Sequence, residues 1–170
     1  MTADLITEQP HDSTTRIELG AMHLAVIRHE QVTIAQLPQL FDPGFTALGA
    51  AIAADRFQPT GPALAVYRSD PQQPFDLDIG FPIARPLTTP LESAGLTIEP
   101  GAVAAGPAFV LSQIGPYDGL GAAWGKLMSD VVAAGATPAV LLEVYVTQPT
   151  PTTNPAELRT DLFALLAGGQ

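Results

Sequence analysis

The sequence contains no cysteine. That excludes disulfides, thiolate metal sites and a cysteine nucleophile. Positive charge is scarce as well: 7 lysines and arginines stand against 17 aspartates and glutamates, giving a formal charge of -10. Affinity for nucleic acid rests mostly on lysine and arginine neutralising phosphates, so direct DNA or RNA binding is not expected. The acid excess suits solubility. It favours cations at the surface only weakly, and only at low salt. No apolar run approaches the roughly 18 residues of a membrane span. The stretch Met1–Pro10 has neither the basic nor the apolar region of a secretory signal. A cytoplasmic protein without membrane contact is the expectation. The histidines, His11, His23 and His29, lack metal-ligand spacing, and no serine elbow, phosphate loop or dinucleotide fingerprint occurs. Neither a metal nor a cofactor is therefore expected.

What is present is apolar: 46% of 170 residues, enough for one domain with a sizeable core or two small fused halves. Residues 1–20 are polar, acidic and aperiodic, and read as a flexible arm. Met22–Ile27 and Val32–Leu37 then read as short strands on either side of a turn at Arg28–Gln31. Asp42-Pro43 is a helix-start signal, predicting a helix over 43–57 with Phe45, Leu48 and Ile52 on one side. Strands follow at Ala63–Arg68 and Phe75–Phe81, the latter placing Asp76 and Asp78 together on a solvated face. Residues 85–94 read as a linker.

The order then repeats. Strands are predicted at Leu96–Glu99 and Ala108–Ile114, a helix at Pro116–Ala134 closed by Gly135, and strands at Ala139–Val146 and Leu158–Leu165. Leu48-Gly-Ala-Ala51 recurs as Leu120-Gly-Ala-Ala123, and Val66-Tyr67 recurs as Val144-Tyr145. The reading is an α+β fold built from a duplicated β-β-α-β-β unit, with repeats over about 21–84 and 95–166. It predicts an antiparallel sheet with two helices and a pseudo-twofold groove where the repeats meet.

Glu143 is the sharpest candidate. Its neighbours in Leu141–Val146 are apolar, so it falls in a buried or half-buried strand. An unpaired carboxylate there costs several kcal/mol or becomes protonated. A cationic ligand would compensate it, and so would an internal partner such as Arg159 or a tyrosine. Tyr145 shares the strand face of Glu143, because strand side chains alternate. Tyr67 has the same reading in the first repeat, where Ala65 replaces the glutamate. Tyr117 and Trp124 lie on the helix stripe with Leu120, Leu127, Met128 and Val131. Such a stripe is normally core, yet aromatic faces also bind cations. Gly119, Gly121 and Gly125 surround Trp124, which suggests close helix-to-sheet packing or room for a ligand.

The pieces Gly115–Trp124, Glu143-Val-Tyr145 with its Pro/Thr-rich loop, and Glu157–Leu162 resemble the GyrI-like small-molecule-binding family. That family is also called the bacterial transcription activator effector-binding domain. The resemblance spans roughly residues 20–166, and it implies the same duplicated fold and central groove. In family members that sense drugs, a groove carboxylate on the Glu-x-Tyr strand meets lipophilic cations among aromatic walls. The resemblance puts that role on Glu143, with Tyr145, Tyr67, Tyr117 and Trp124 as walls. Many members follow a helix-turn-helix domain, for which the arm here is too short and too acidic, so a stand-alone member is expected.

The first functional expectation is thus a protein that holds a hydrophobic molecule, cations included, between the repeats: a multidrug binder or small-molecule sensor. The resemblance leaves two alternatives. One is a hydrolase opening reactive cyclopropane-type genotoxins, with Glu143 and Tyr145 as catalytic residues. The other is a module that acts on a protein partner, DNA gyrase.

Overall fold

The computed structural model describes residues 5–68, 74–147 and 150–166. Its strands are β1 (Thr15–Leu19), β2 (Met22–Val32), β3 (Leu64–Tyr67), β4 (Phe75–Ile83), β5 (Leu91–Ser93), β6 (Leu96–Val103), β7 (Gly106–Ile114), β8 (Pro138–Tyr145) and β9 (Arg159–Leu166). Its helices are α1 (Leu37–Ala53) and α2 (Leu120–Ala133), each entered through a single 3-10 turn, Ile34–Gln36 and Tyr117–Gly119 respectively. The fold is α+β, and the strand pairs described below are antiparallel. The chain divides into two compact units. The first is Ala21–Ala104; the second joins the segment up to Gly20 to everything from Ala105 on.

In the first unit the strand order is β3-β4-β2-β6-β5, with α1 packed on it. Leu24–Ile27 in β2 and Leu77–Gly80 in β4 are buried on both faces, the pattern of central strands. The predicted turn at Arg28–Gln31 is instead a bulge within β2. The pairing with β4 slips between His29 and Val32, and Gln31 sits at φ 53°. The segment Val32–Leu37, expected as a second strand, becomes the 3-10 turn and the start of α1. Its alternation of apolar residues is too short to distinguish strand from helix entry. Helix α1 accordingly starts before the Asp42-Pro43 signal. Pro38 serves the first turn, and Pro43 lies inside the helix on its exposed side, where water can replace the lost hydrogen bond. Gly44, Ala47, Leu48 and Ala51 are the residues α1 buries. Gly44 lets α1 lie close on the sheet, because a Cβ there would meet the end of the Ile79 side chain.

In the second unit the order is β1-β7-β9-β8, with α2 on one face. Two expectations change here. Thr15–Leu19, read as part of a flexible arm, is a strand pairing with β7 from Thr15↔Val110 to Leu19↔Gly106. The expected linker holds β5, which pairs with β6. Each half of the chain is still β-β-α-β-β, with β5 inserted between the halves. The leading strands are exchanged, however. β1 precedes β2 in sequence but pairs with β7, whereas β6 precedes β7 but pairs with β2.

The register sharpens the duplication. Val66↔Asp78 in the first unit matches Val144↔Asp161 in the second, so Tyr67 and Tyr145 are equivalent, as are Ala65 and Glu143. The Leu-Gly-Ala-Ala match does not survive: Leu48 lies late in α1, and Leu120 opens α2. In an alanine-rich chain that match is coincidence.

Candidate functional site

The second unit brings together four of the five candidates. β8 buries Leu142, Glu143 and Val144, leaving Glu143 only 5% exposed. Pleating sends Leu142 and Val144 to one face and Leu141, Glu143 and Tyr145 to the other. That second face is the one α2 covers. Ala123, Leu127 and Val131 of the helix pack there against Phe109, Leu111, Leu162 and Ala164, with Leu120, Trp124, Met128 and Leu141 at the margin. A carboxylate thus lies at the edge of a hydrophobic helix-to-sheet interface.

Glu143 is held by two aromatic donors. The indole Nε1–H of Trp124 donates to Oε2 at 2.7 Å, and the phenol of Tyr145 donates to Oε1 at 2.7 Å. Trp124 is therefore more than core, because its polar edge is fixed on the carboxylate. The alternative partner Arg159 goes elsewhere. It forms a two-pronged pair with Asp161, from Nε at 3.0 Å and Nη2 at 2.9 Å, on the opposite face. Asp161 is 0% exposed and also accepts from Ser112 at 2.7 Å. Arg159 further donates to the Thr7 carbonyl at 2.9 Å, tying down the N-terminal segment.

Tyr117 stands on the solvent side of Tyr145. Its ring meets that of Tyr145 edge-on at 6.1 Å between centroids, and 41% of the residue faces solvent. Partial burial raises the Tyr117 phenol above its ordinary value, and the negative charge of Glu143 adds to the rise. Both effects keep this phenol neutral at physiological pH. The turn that carries Tyr117 lies between Gly115, at φ 135°, and Gly119. Gly119 leaves room for the Gln113 amide, which a Cβ would strike. The expected close packing at Gly121 and Gly125 is absent: both are exposed, with open space where a Cβ would stand.

Tyr67 belongs to the first unit. There it is buried and its ring lies 5.3 Å from that of Phe75, beside Ala65 rather than a carboxylate. Asp78, read as solvated, is 3% exposed and pairs with Arg68 at 2.9 Å and Arg28 at 3.7 Å. Arg28, His29, Glu30, Arg68, Asp76 and Asp78 line a cleft of about 270 Å³. Asp78 is the register equivalent of Asp161, so each unit buries an aspartate at that place and pairs it with arginine, from β2 and the end of β3 in the first unit and from β9 itself in the second. The cleft reads as the solvent-open version of that structural pair.

Sequence reasoning missed Thr160 and Gln113. Thr160 pairs with Tyr145 on one side and with Gln113 on the other. The residue is 0% exposed, and its Oγ1 has no hydrogen-bond partner among the described residues. The available signal was period two: Thr160 stands two residues before Leu162, whose side chain is in the α2 interface.

Among curated proteins none matches this chain. Solved structures do. The chain is similar to EcmrR in a DNA complex, with TM-score 0.72 and 17% identity, over 91% of its own length and 57% of that chain. It thus spans little more than half of that relative. Against the isolated EcmrR C-terminal domain the values are 0.69 and 16%, with 91% and 96% covered. SAV2435 bound to tetraphenylphosphonium gives 0.64 and 12%, with 92% and 94% covered. A hydrolase from Listeria innocua gives 0.63 and 8%, with 94% of each covered. At these identities the likeness is one of fold. No helix among the described residues is long and apolar enough to cross a membrane. The profile of the GyrI-like small molecule binding domain matches residues 13–166, and the chain belongs to that family.

Proposed function

We propose that the second unit binds a hydrophobic organic cation at Glu143, with Trp124, Tyr145 and Tyr117 as its aromatic walls. The observation that carries this reading is a carboxylate only 5% exposed, oriented by Trp124 and Tyr145 at 2.7 Å each. Two fixed donors pre-organise the charge, so a ligand need not order it on arrival. Aromatic faces within reach of a cation add roughly 0.5–2 kcal/mol each. The tetraphenylphosphonium held by SAV2435, on a similar fold, is a ligand of this chemistry. The acidic balance of 17 carboxylates against 7 bases also disfavours an anionic ligand.

The test is calorimetric titration with tetraphenylphosphonium and, as a neutral counterpart, triphenylphosphine oxide. Interactions with a charged partner are worth about 1.5–3 kcal/mol. Glu143→Gln should therefore weaken the phosphonium by roughly tenfold to a hundredfold and leave the oxide nearly unchanged. Equal loss for both compounds would overturn the charge pairing.

A second reading has one observation in its favour. Glu143 and Tyr145 form a hydrogen-bonded carboxylate–phenol pair at 2.7 Å, the arrangement of a general base with an orienting donor. Hydrolysis of a strained electrophile would use Glu143 to take a proton from water. Mass spectrometry of the compounds after incubation separates the two: unchanged compound means binding, and a hydrated product means catalysis.

A further inference from the structure

We infer that Thr160 is a second anchor of this site, which selects ligands carrying a hydrogen-bonding group beside the cation. The inference rests on the cation-binding reading above. Gln113, Thr160 and Tyr145 form one cross-strand row over β7, β9 and β8. The next row is Leu111, Leu162 and Glu143. Leu111 and Leu162 lie in the α2 interface, and pleating puts Thr160 on the same face.

The hydroxyl of Thr160 is fully buried and has no partner among the described residues. Valine has nearly the same shape and would fill the place without leaving a polar atom unmet. The first unit takes the apolar option. Its register equivalent of Thr160 is Leu77, and its equivalent of Glu143 is Ala65. Relative to its sibling, the second unit has turned polar at two positions that are diagonal neighbours across one strand pair. The first unit folds around the apolar versions, so this architecture does not itself demand a polar group at either position.

Diagonal cross-strand positions lie roughly 7–8 Å apart. The ligand class is therefore a hydrophobic cation with a hydroxyl, ether or carbonyl at a comparable distance from its charge. Threonine is short, so its hydroxyl lies near the floor of the site and meets only a ligand that enters fully. The residue best placed to yield on entry is Tyr117, which is exposed and carried on one 3-10 turn after Gly115.

The experiment compares tetraphenylphosphonium with (4-hydroxyphenyl)triphenylphosphonium by calorimetry on wild type, Thr160→Val, Thr160→Ser and Glu143→Gln. The expected result has four parts. Thr160→Val loses on the order of tenfold affinity for the hydroxylated cation while binding of tetraphenylphosphonium is unchanged. Thr160→Ser restores the difference. Glu143→Gln weakens both. Free Thr160→Val melts at or above the wild-type temperature. Equal effects of Thr160→Val on both cations would overturn the anchor and leave the Glu143 reading intact. A lower melting temperature for free Thr160→Val would also overturn it, by showing that the hydroxyl serves the fold or a permanent water. If the wild type binds neither cation, the Glu143 reading falls and the anchor falls with it.

Discussion

The phenol of Tyr145 donates to Glu143 Oε1 across 2.7 Å, two positions along the same strand. A carboxylate this buried depends on its donors, because each polar group left unmet costs about 1–3 kcal/mol. Tyr145→Phe keeps the ring and its edge contact with Tyr117 while removing the bond. The expected outcome is a loss of about 1–3 kcal/mol in urea unfolding, with an unchanged m-value. A variant as stable as the wild type would show that Glu143 does not depend on this bond.

Trp124 is the sole tryptophan in the chain, and its Nε1–H is bonded to Glu143. Its emission should therefore report the site directly. Glu143→Gln should shift the emission maximum without ligand, and tetraphenylphosphonium should shift or quench it in the wild type. Emission indifferent to both changes would place the ligand elsewhere.

The two buried aspartates should differ in their sensitivity to neutralisation. Removing one member of a buried ion pair costs about 3–5 kcal/mol. Asp161→Asn strands Arg159, whose side chain is 11% exposed, and should approach that range. Asp78→Asn should cost clearly less, because Arg68 and Arg28 are 32% and 44% exposed and water can take over. Thermal unfolding of the two variants checks the ranking.

His29 gives a pH signature. Burial lowers its proton affinity below the ordinary value of 6.5, and the nearby Asp78 opposes this only in part. The unfolded chain therefore binds a proton that the folded chain resists. Stability should decline as pH falls through 6.5 toward the lower folded value and level off below it. His29→Gln places there the residue found at the equivalent register position, Gln113. Its unfolding free energy should vary less than that of the wild type between about pH 7.5 and 5.5. Identical profiles would remove His29 as the cause.

Glycines in the helices separate packing from propensity. Gly49, Gly121 and Gly125 have open space at the Cβ position, so alanine should stabilise by roughly 0.5–1 kcal/mol at each. Gly80 lies in a central strand, where a Cβ would run into the Ala25 carbonyl, and Gly80→Ala should lower the melting temperature sharply.

Much of the site was legible because strand periodicity is local. An acid in an apolar run, with a tyrosine two residues on, placed Glu143 and Tyr145 on one face, and helical spacing put Trp124 on the covering stripe. The bond from Trp124 to Glu143 was beyond reach, since it depends on how far α2 lies along β8. Thr160 was missed for a similar reason: its significance lies in its cross-strand neighbours, which sequence does not order. In the fold, the element types from Leu64 onward were readable from alternation and turn residues, except β5, which was read as linker. The N-terminal third misled because its decisive contacts are remote. Thr15–Leu19 looks aperiodic until β7 supplies its partner, and Val32–Leu37 alternates like a strand although it leads from the end of β2 through a 3-10 turn into α1.

The exchange of leading strands makes the two units unequal during synthesis. Every strand of the first unit lies between Met22 and Val103, so that unit has all its parts once residue 103 has emerged. β1 is made before any of them, yet its partner β7 emerges only after the first unit is complete. A nascent chain thus carries an unpaired edge strand while its neighbour folds. The half that holds Glu143 closes last, and only once β1 and β9 are both present to flank β7.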